Sequence, residues 1–180
     1  MGRASQGVLH ICDEDGHELP VGETGLVYFA DGPQFEYNND PQRTATTRNA
    51  LGWSTLGDIG RVDEDGYLYL VDRRAFMIIS GGVNIYPQEA EAVLIQHPKV
   101  ADVAVVGVPS EDLGEEVRAV VQLLDPADAG PEAEAELLAW CRQRLATFKC
   151  PRSIDFDPEL PRHPTGKLYK QLVRQRYWPQ

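Results

Sequence analysis

The sequence predicts an α+β protein in two parts: a β-rich stretch, residues 1–72, and a compact α+β unit, residues 76–180, in which flanking helices cover a small sheet. Three observations predict this. In the first part, short β-forming runs are joined by the tetrapeptide Asp-Glu-Asp-Gly, which occurs at residues 13–16 and again at 63–66. After residue 75 a helical period appears, with Ala90, Val93, Leu94 and His97 at i, i+3, i+4 and i+7. Two long apolar runs follow, residues 100–108 and 117–124, the first a near-continuous Val/Ala run with the composition of a well-buried strand.

Taken in order, residues 7–12 and 23–29 read as strands, and so do 59–62 and 67–71. The Asp-Glu-Asp-Gly copies between them are hairpin turns, glycine supplying the positive φ. Neither copy has the further oxygen ligands and the glutamate of a calcium loop. Residues 30–51 form a polar loop, long for a compact domain and of the kind that is often functional or mobile. The boundary falls near residues 72–75. Beyond it, proline at the first helical position starts a helix at Pro87 that Pro98 stops. A strand follows over 100–108, then an acidic loop over 110–116, and a second strand over 117–124. Pro131 starts another helix, running to about residue 146, acidic at its head and basic at its tail as the macrodipole favours. Its apolar face is Leu137, Trp140, Cys141 and Leu145, continued by Phe148. Residues 154–156 suggest a short strand, 161–166 a loop, and 167–177 a final basic helix.

Whole-chain numbers exclude several classes. The 180 residues carry a formal net charge of −11, which argues against a phosphate-backbone partner such as nucleic acid. No apolar run approaches the roughly 18 residues of a transmembrane helix, and residues 1–16 lack the apolar core of a signal peptide. The three cysteines, Cys12, Cys141 and Cys150, have no metal-ligand spacing. Reduced, buried thiols and a cytoplasmic location are the expectation, with no metal site in the chain.

Chemistry concentrates in residues 72–91, DRRAFMIISGGVNIYPQEAE, together with GWSTLGD at 52–58 and PRHPTGK at 161–167. The pair Gly81-Gly82 marks a turn or a close approach of backbone to something else. Asp58 can accept two hydroxyl hydrogen bonds from a diol, or cap its own turn. Arg73 by itself reads as a surface arginine in a weak ion pair with Asp72 or Glu64. Lys167 stands at the tip of a turn opening a helix, where it is either a solvated lysine or a point cation aimed at anions. Lys170, Arg174 and Arg176 read as surface charges.

In this order and spacing the three motifs resemble those of the acyl-adenylate-forming enzymes, and within that superfamily the C-terminal portion of the fatty-acid and aryl acid–CoA ligases. The resemblance implies that residues 1–72 are the β-rich end of a large AMP-binding N-terminal domain whose remainder lies outside the chain. Residues 73–75 are then a hinge, with Arg74 and Ala75 at the pivot, and 76–180 a mobile C-terminal lid. It implies ribose contacts from Asp58 and Arg73, a pantetheine tunnel lined by Gly81 and Gly82, and a catalytic Lys167 bridging a carboxylate and the α-phosphate of ATP. ATP and AMP, CoA, a fatty or other carboxylic acid and Mg2+ are the implied ligands, with the magnesium ligands and the phosphate-binding loop on the N-terminal domain. The isolated chain would not turn over. Three departures are visible: Leu56 stands where threonine is common, with Thr55 one place earlier, Ala75 where the pivot is usually Asp or Lys, and Phe76 where an acid is common. The alternative from a different class is a stand-alone, non-catalytic partner or regulatory domain with the fold of the lid.

Overall fold

In the computed structural model, which describes residues 2–32 and 35–178, the chain is α+β and divides into two compact units, Met1–Ala75 and Phe76–Gln180. In the first unit β1 (Val8–Cys12), β2 (Gly25–Ala30), β3 (Asp58–Val62) and β4 (Leu68–Arg73) form an antiparallel sheet in sequence order. β2 lies inside that sheet, and its consecutive residues Leu26, Val27 and Tyr28 are all buried. The register shifts between Ile59 and Gly60, which leaves Val71 of β4 as the extra residue of a bulge opposite β3. A Cβ at Gly60 would stand 2.8 Å from the Tyr69 carbonyl oxygen, so the close approach there requires glycine.

Both Asp-Glu-Asp-Gly segments make the same turn. Gly16 N–H donates to the Asp13 carbonyl (3.3 Å) and Asp13 N–H to the His17 carbonyl (2.9 Å). Gly66 N–H donates to Asp63 (2.9 Å) and Asp63 N–H to Tyr67 (3.1 Å). Gly16 and Gly66 take φ of +87° and +78°, the left-handed residue that completes a type I turn with a glycine bulge. The loop expected over 30–51 is more ordered than its composition suggests. It contains a short helix, α1 (Pro41–Thr46), and its return limb at Ser54 exchanges both backbone hydrogen bonds with Phe29.

The second unit begins with a hairpin that the sequence did not resolve, β5 (Ile78–Ser80) and β6 (Val83–Ile85), turning through Gly81 and Gly82. α2 (Pro87–Leu94) follows, then β7 (Val100–Ser110) and β8 (Gly114–Leu123). These two strands pair from Val100–Leu123 to Ser110–Gly114, so the expected acidic loop shrinks to residues 111–113. α3 (Pro131–Arg142) precedes β9 (Ser153–Phe156), which runs parallel to β8, and the last helix is α4 (Lys170–Gln175). The sheet order is β6-β5-β8-β7, with β9 also on β8.

The near-continuous valine run of β7 is explained by covering on both faces. Val103 and Val105 pack with Leu94 of α2 and Leu137 and Cys141 of α3. Ala104, Val106 and Val108 pack with Leu160 and Val173 of α4. Alternate side chains of one strand thus enter two separate cores, and a polar residue on either side would be stranded. α3 stops at Arg142, earlier than residue 146, and a 3-10 turn at Thr147–Lys149 follows. That break takes Phe148 off the helix face on which it was expected; it is 52% exposed.

Candidate functional site

Asp58 and Arg73 are brought together by strand register. They are paired positions at the ends of β3 and β4, and the Arg73 Nε lies 3.4 Å from the Asp58 carboxylate. The arginine's partner is therefore Asp58, not the Asp72 or Glu64 carboxylate; the Asp72 carboxylate accepts the Arg73 backbone N–H (2.7 Å). The turn before Asp58 is held by Thr55, whose buried hydroxyl accepts the Gly57 N–H (3.0 Å), while Leu56 is exposed. The Gly57 carbonyl in turn accepts Arg74 N–H (2.8 Å). A guanidinium beside a half-buried carboxylate offers donors and acceptors side by side, which suits a vicinal diol. Arg74 and Ala75 are exposed, and Arg74–Phe76 forms a 3-10 turn.

Gly81 and Gly82 are the two central residues of the β5–β6 turn, with φ of +58° and +79°. That is the two-residue hairpin turn requiring positive φ at both positions, which is the local reason for the glycine pair. The Gly81 N–H donates to the Leu113 carbonyl (2.9 Å). Gly81 lines a cavity of about 800 Å³ whose other walls include Leu113, Arg142, Phe148, Cys150 and Arg152. A Cβ on Gly82 would meet nothing within 4 Å. The basic and aromatic walls of this cavity were missed in the sequence. The signal is the segment Phe148-Lys149-Cys150-Pro151-Arg152, an aromatic close to an arginine, of which the sequence reading placed only Phe148, as a continuation of the helix face. Cys150 is buried, and burial raises its thiol pKa; burial also lifts Cys141 to about 11. Neither is a ready nucleophile near neutral pH.

Lys167 does not open a helix, since α4 begins at Lys170. It is the residue after the glycine of a third turn of the same kind as the two in the first unit. Gly166 N–H donates to the His163 carbonyl and His163 N–H to the Lys167 carbonyl, both at 2.8 Å, with Gly166 at φ +84°. Arg162 and Leu168 bridge the limbs of this small hairpin. Lys167 is exposed, and among the described residues it makes no ion pair. Its neighbours differ. Lys170, expected at the surface, has 11% exposure and pairs with Glu91 (2.7 Å), which also accepts the Val105 N–H (2.7 Å). Arg174 pairs with Glu115 (3.0 Å) and Arg176 with Asp157 (2.5 Å). One cation of this basic segment is thus left facing solvent on a tight turn.

Residues 89–167 match the AMP-binding enzyme C-terminal domain family, and the chain as a whole matches the C-terminal portion of acyl-CoA ligases. The long-chain-fatty-acid–CoA ligase FadD13 of Mycobacterium tuberculosis is 42% identical over 166 residues, 91% of this chain and 32% of that protein. ATP-bound MatB from Rhodopseudomonas palustris is similar in structure, with a TM-score of 0.86 at 34% identity over 98% of this chain and 35% of MatB. The amide bond synthetase McbA from Marinactinospora thermotolerans has a TM-score of 0.82 at 39% identity, covering 98% of this chain and 35% of McbA. The chain spans about a third of the length of these relatives. No helix among the described residues is long and apolar enough to cross a membrane.

Proposed function

We propose that this chain is the C-terminal part of an acid–thiol ligase working with an AMP-binding N-terminal domain. In the first half-reaction a carboxylate attacks the α-phosphate of ATP, giving acyl-AMP and releasing pyrophosphate. In the second, the thiol of CoA attacks the acyl carbon, giving the thioester, AMP and a proton. The observation that carries the reading is Lys167, a lysine without an ion pair on a rigid turn inside the matched family region. Two anions must approach each other in adenylation, and a fixed cation between them lowers that barrier without transferring a proton.

Asp58 and Arg73 hold the ribose hydroxyls, the carboxylate accepting and the guanidinium donating. Gly81 and Gly82 admit the thiol arm of CoA, whose path a side chain would block; the basic, aromatic cavity beside Gly81 suits the rest of a phosphorylated, ring-bearing carrier. Residues 1–72 complete the N-terminal domain, and 76–180 form a lid that turns at Arg74–Ala75 between the half-reactions. Alanine at the pivot is compatible with this, because a hinge absorbs φ/ψ change and needs no charge. Mg2+ belongs with ATP and the N-terminal domain. By itself the chain holds no phosphate-binding loop and would not turn over. Similarity to an amide bond synthetase supports a second reading of the acceptor, an amine in place of CoA.

The test joins the chain to an AMP-binding N-terminal domain and measures the half-reactions separately. Lys167→Ala cuts acyl-AMP formation by about 10²–10³-fold and spares thioester formation from supplied acyl-AMP. Gly82→Leu does the reverse. General destabilisation lowers both steps together, so equal losses in the two half-reactions would refute the assignment. Offering CoA and an amine to the same acyl-AMP separates the two acceptors.

A further inference from the structure

Three turns in this chain share one backbone pattern, and two of them are held by their own first residue. The Asp13 carboxylate accepts His17 N–H (2.8 Å), and the Asp63 carboxylate accepts the N–H groups of Asp65 (3.1 Å) and Tyr67 (2.9 Å). Each aspartate thus ties the residue after the glycine back to the start of the turn. The third turn has His163 in that place, and its ring stacks on Tyr169 at 3.8 Å instead of capping the backbone. Yet this is the turn that carries Lys167.

What replaces the missing cap is Arg162. One guanidinium nitrogen donates to the Gly166 carbonyl (2.7 Å), the peptide group joining Gly166 to Lys167. The other pairs with the Asp102 carboxylate on β7. A guanidinium is a planar, permanently charged fork, so it can fix two acceptors at a set separation. Asp102 is itself anchored, since its other oxygen accepts Val103 N–H (2.9 Å) at the edge of the buried strand. The chain of contacts runs from the rigid β7 through Asp102 and Arg162 to the backbone that bears Lys167.

We propose that Arg162, backed by Asp102, is a positioning residue that fixes the Lys167 turn to the sheet, and that the adenylation step depends on this clamp. The inference rests on the role of Lys167 proposed above. Arg162 acts through Lys167, so its removal matters only while the lysine is present. A lysine at position 162 restores the charge but not the fork, because an ammonium on a flexible stem does not hold Gly166 and Asp102 at a fixed separation.

The experiment is a double-mutant cycle in the joined enzyme, with Arg162→Ala, Lys167→Ala and both together. The expected result is a fall of up to about 10²-fold in acyl-AMP formation for Arg162→Ala, the scale of a catalytic group moved off its geometry. The fall disappears in the Lys167→Ala background, and thioester formation from supplied acyl-AMP stays within about twofold. Arg162→Lys recovers part of the loss, and Asp102→Asn reproduces it more weakly. A loss of the same size with and without Lys167 overturns the proposal, as does no loss at all where Lys167→Ala is impaired. If Lys167→Ala leaves adenylation intact, the ligase assignment of the lysine fails, and hydrogen exchange in the 180-residue chain decides the clamp alone. Arg162→Ala should then speed exchange at the His163, Gly166 and Tyr169 amides and leave Val103 to Val106 unchanged. Unaltered protection in the turn overturns it.

Discussion

In the second unit β7 sends Val103 and Val105 into one core and Ala104, Val106 and Val108 into another, so helices and loops cover both faces of the sheet. In the first unit burial is uneven along the sheet, and Ile11 and Cys12 at the end of the edge strand β1 are buried with the middle strands. Leu26, Val27, Tyr28 and Ile59 are enclosed, while Val8 at one edge strand is 50% exposed and Leu70 at the other is 59% exposed. The same kind of residue therefore carries different weight in the two units. Both units also carry exposed apolar side chains, Val8 and Leu70 in the first and Ile79, Leu124 and Phe148 in the second, so the contrast lies in the strand covered on both faces. The difference teaches that packing on both faces of one strand occurs after Ala75, where the proposed catalytic turn also sits.

The comparison is broken most directly by truncating one leucine in each unit. Leu137→Ala removes a side chain that is 1% exposed between α3 and the sheet. It should cost about 2–5 kcal/mol, the transfer term plus the cavity left behind. Leu70→Ala, on an exposed face, should change stability by about 0.5 kcal/mol or less. Denaturant unfolding followed by a probe specific to each unit checks both. Comparable losses would mean that the first unit's sheet is as closed as the second's.

This contrast also explains what could be read from the sequence. The long strands, the two aspartate turns, the Pro87 and Pro131 helix starts and the place of the Asp58, Gly81 and Lys167 motifs were legible because each depends on local spacing. The β5–β6 hairpin was not, since strands of three residues carry no period, and Ile79 and Val83 are exposed on it. The helix expected to begin at Lys167 yielded to Leu168, which packs against the Val106 core and draws residues 162–168 into a hairpin. The cavity wall at Phe148 and the partner of Arg162 depend on contacts across many residues, as with Asp102, and no local pattern announces them.

A middle-sized effect sharpens the picture of the basic C-terminal segment. Lys170 and Glu91 form an ion pair with little exposure, and Glu91 also takes the Val105 N–H inside the sheet. Lys170→Met should destabilise the second unit by about 1.5–3 kcal/mol, because a carboxylate is left without its cation. Arg176→Met removes a half-exposed pair with Asp157 and should cost about 1 kcal/mol or less. Thermal unfolding of the two variants orders them; a larger loss for Arg176→Met would show that exposure does not rank these pairs.

The smallest expected effect separates the aspartate turns from the lysine turn by pH. The Tyr67 backbone N–H beside Asp63 holds that carboxyl below the usual carboxylate range, with help from the Tyr69 hydroxyl and the Asp65 N–H against the cost of desolvation. The hydrogen bond that the Tyr69 hydroxyl makes with the Asp63 carboxylate raises the Tyr69 pKa in turn. A folded-state pKa below the unfolded value means that Asp63 stabilises the turn above the ordinary aspartate pKa, and that this support drains away as pH falls through the lowered one. Exchange at the Tyr67 amide, corrected for its intrinsic pH dependence, should therefore quicken on acidification. Asp63→Asn keeps an acceptor oxygen and removes the charge, so its turn should exchange faster at neutral pH and lose the acid-induced change. In the turn at Lys167 the acceptor held by Arg162 is the Gly166 carbonyl, which does not titrate. Acid-induced exchange at Tyr67 that persists in Asp63→Asn would show that another group, and not the capping carboxylate, distinguishes the two kinds of turn.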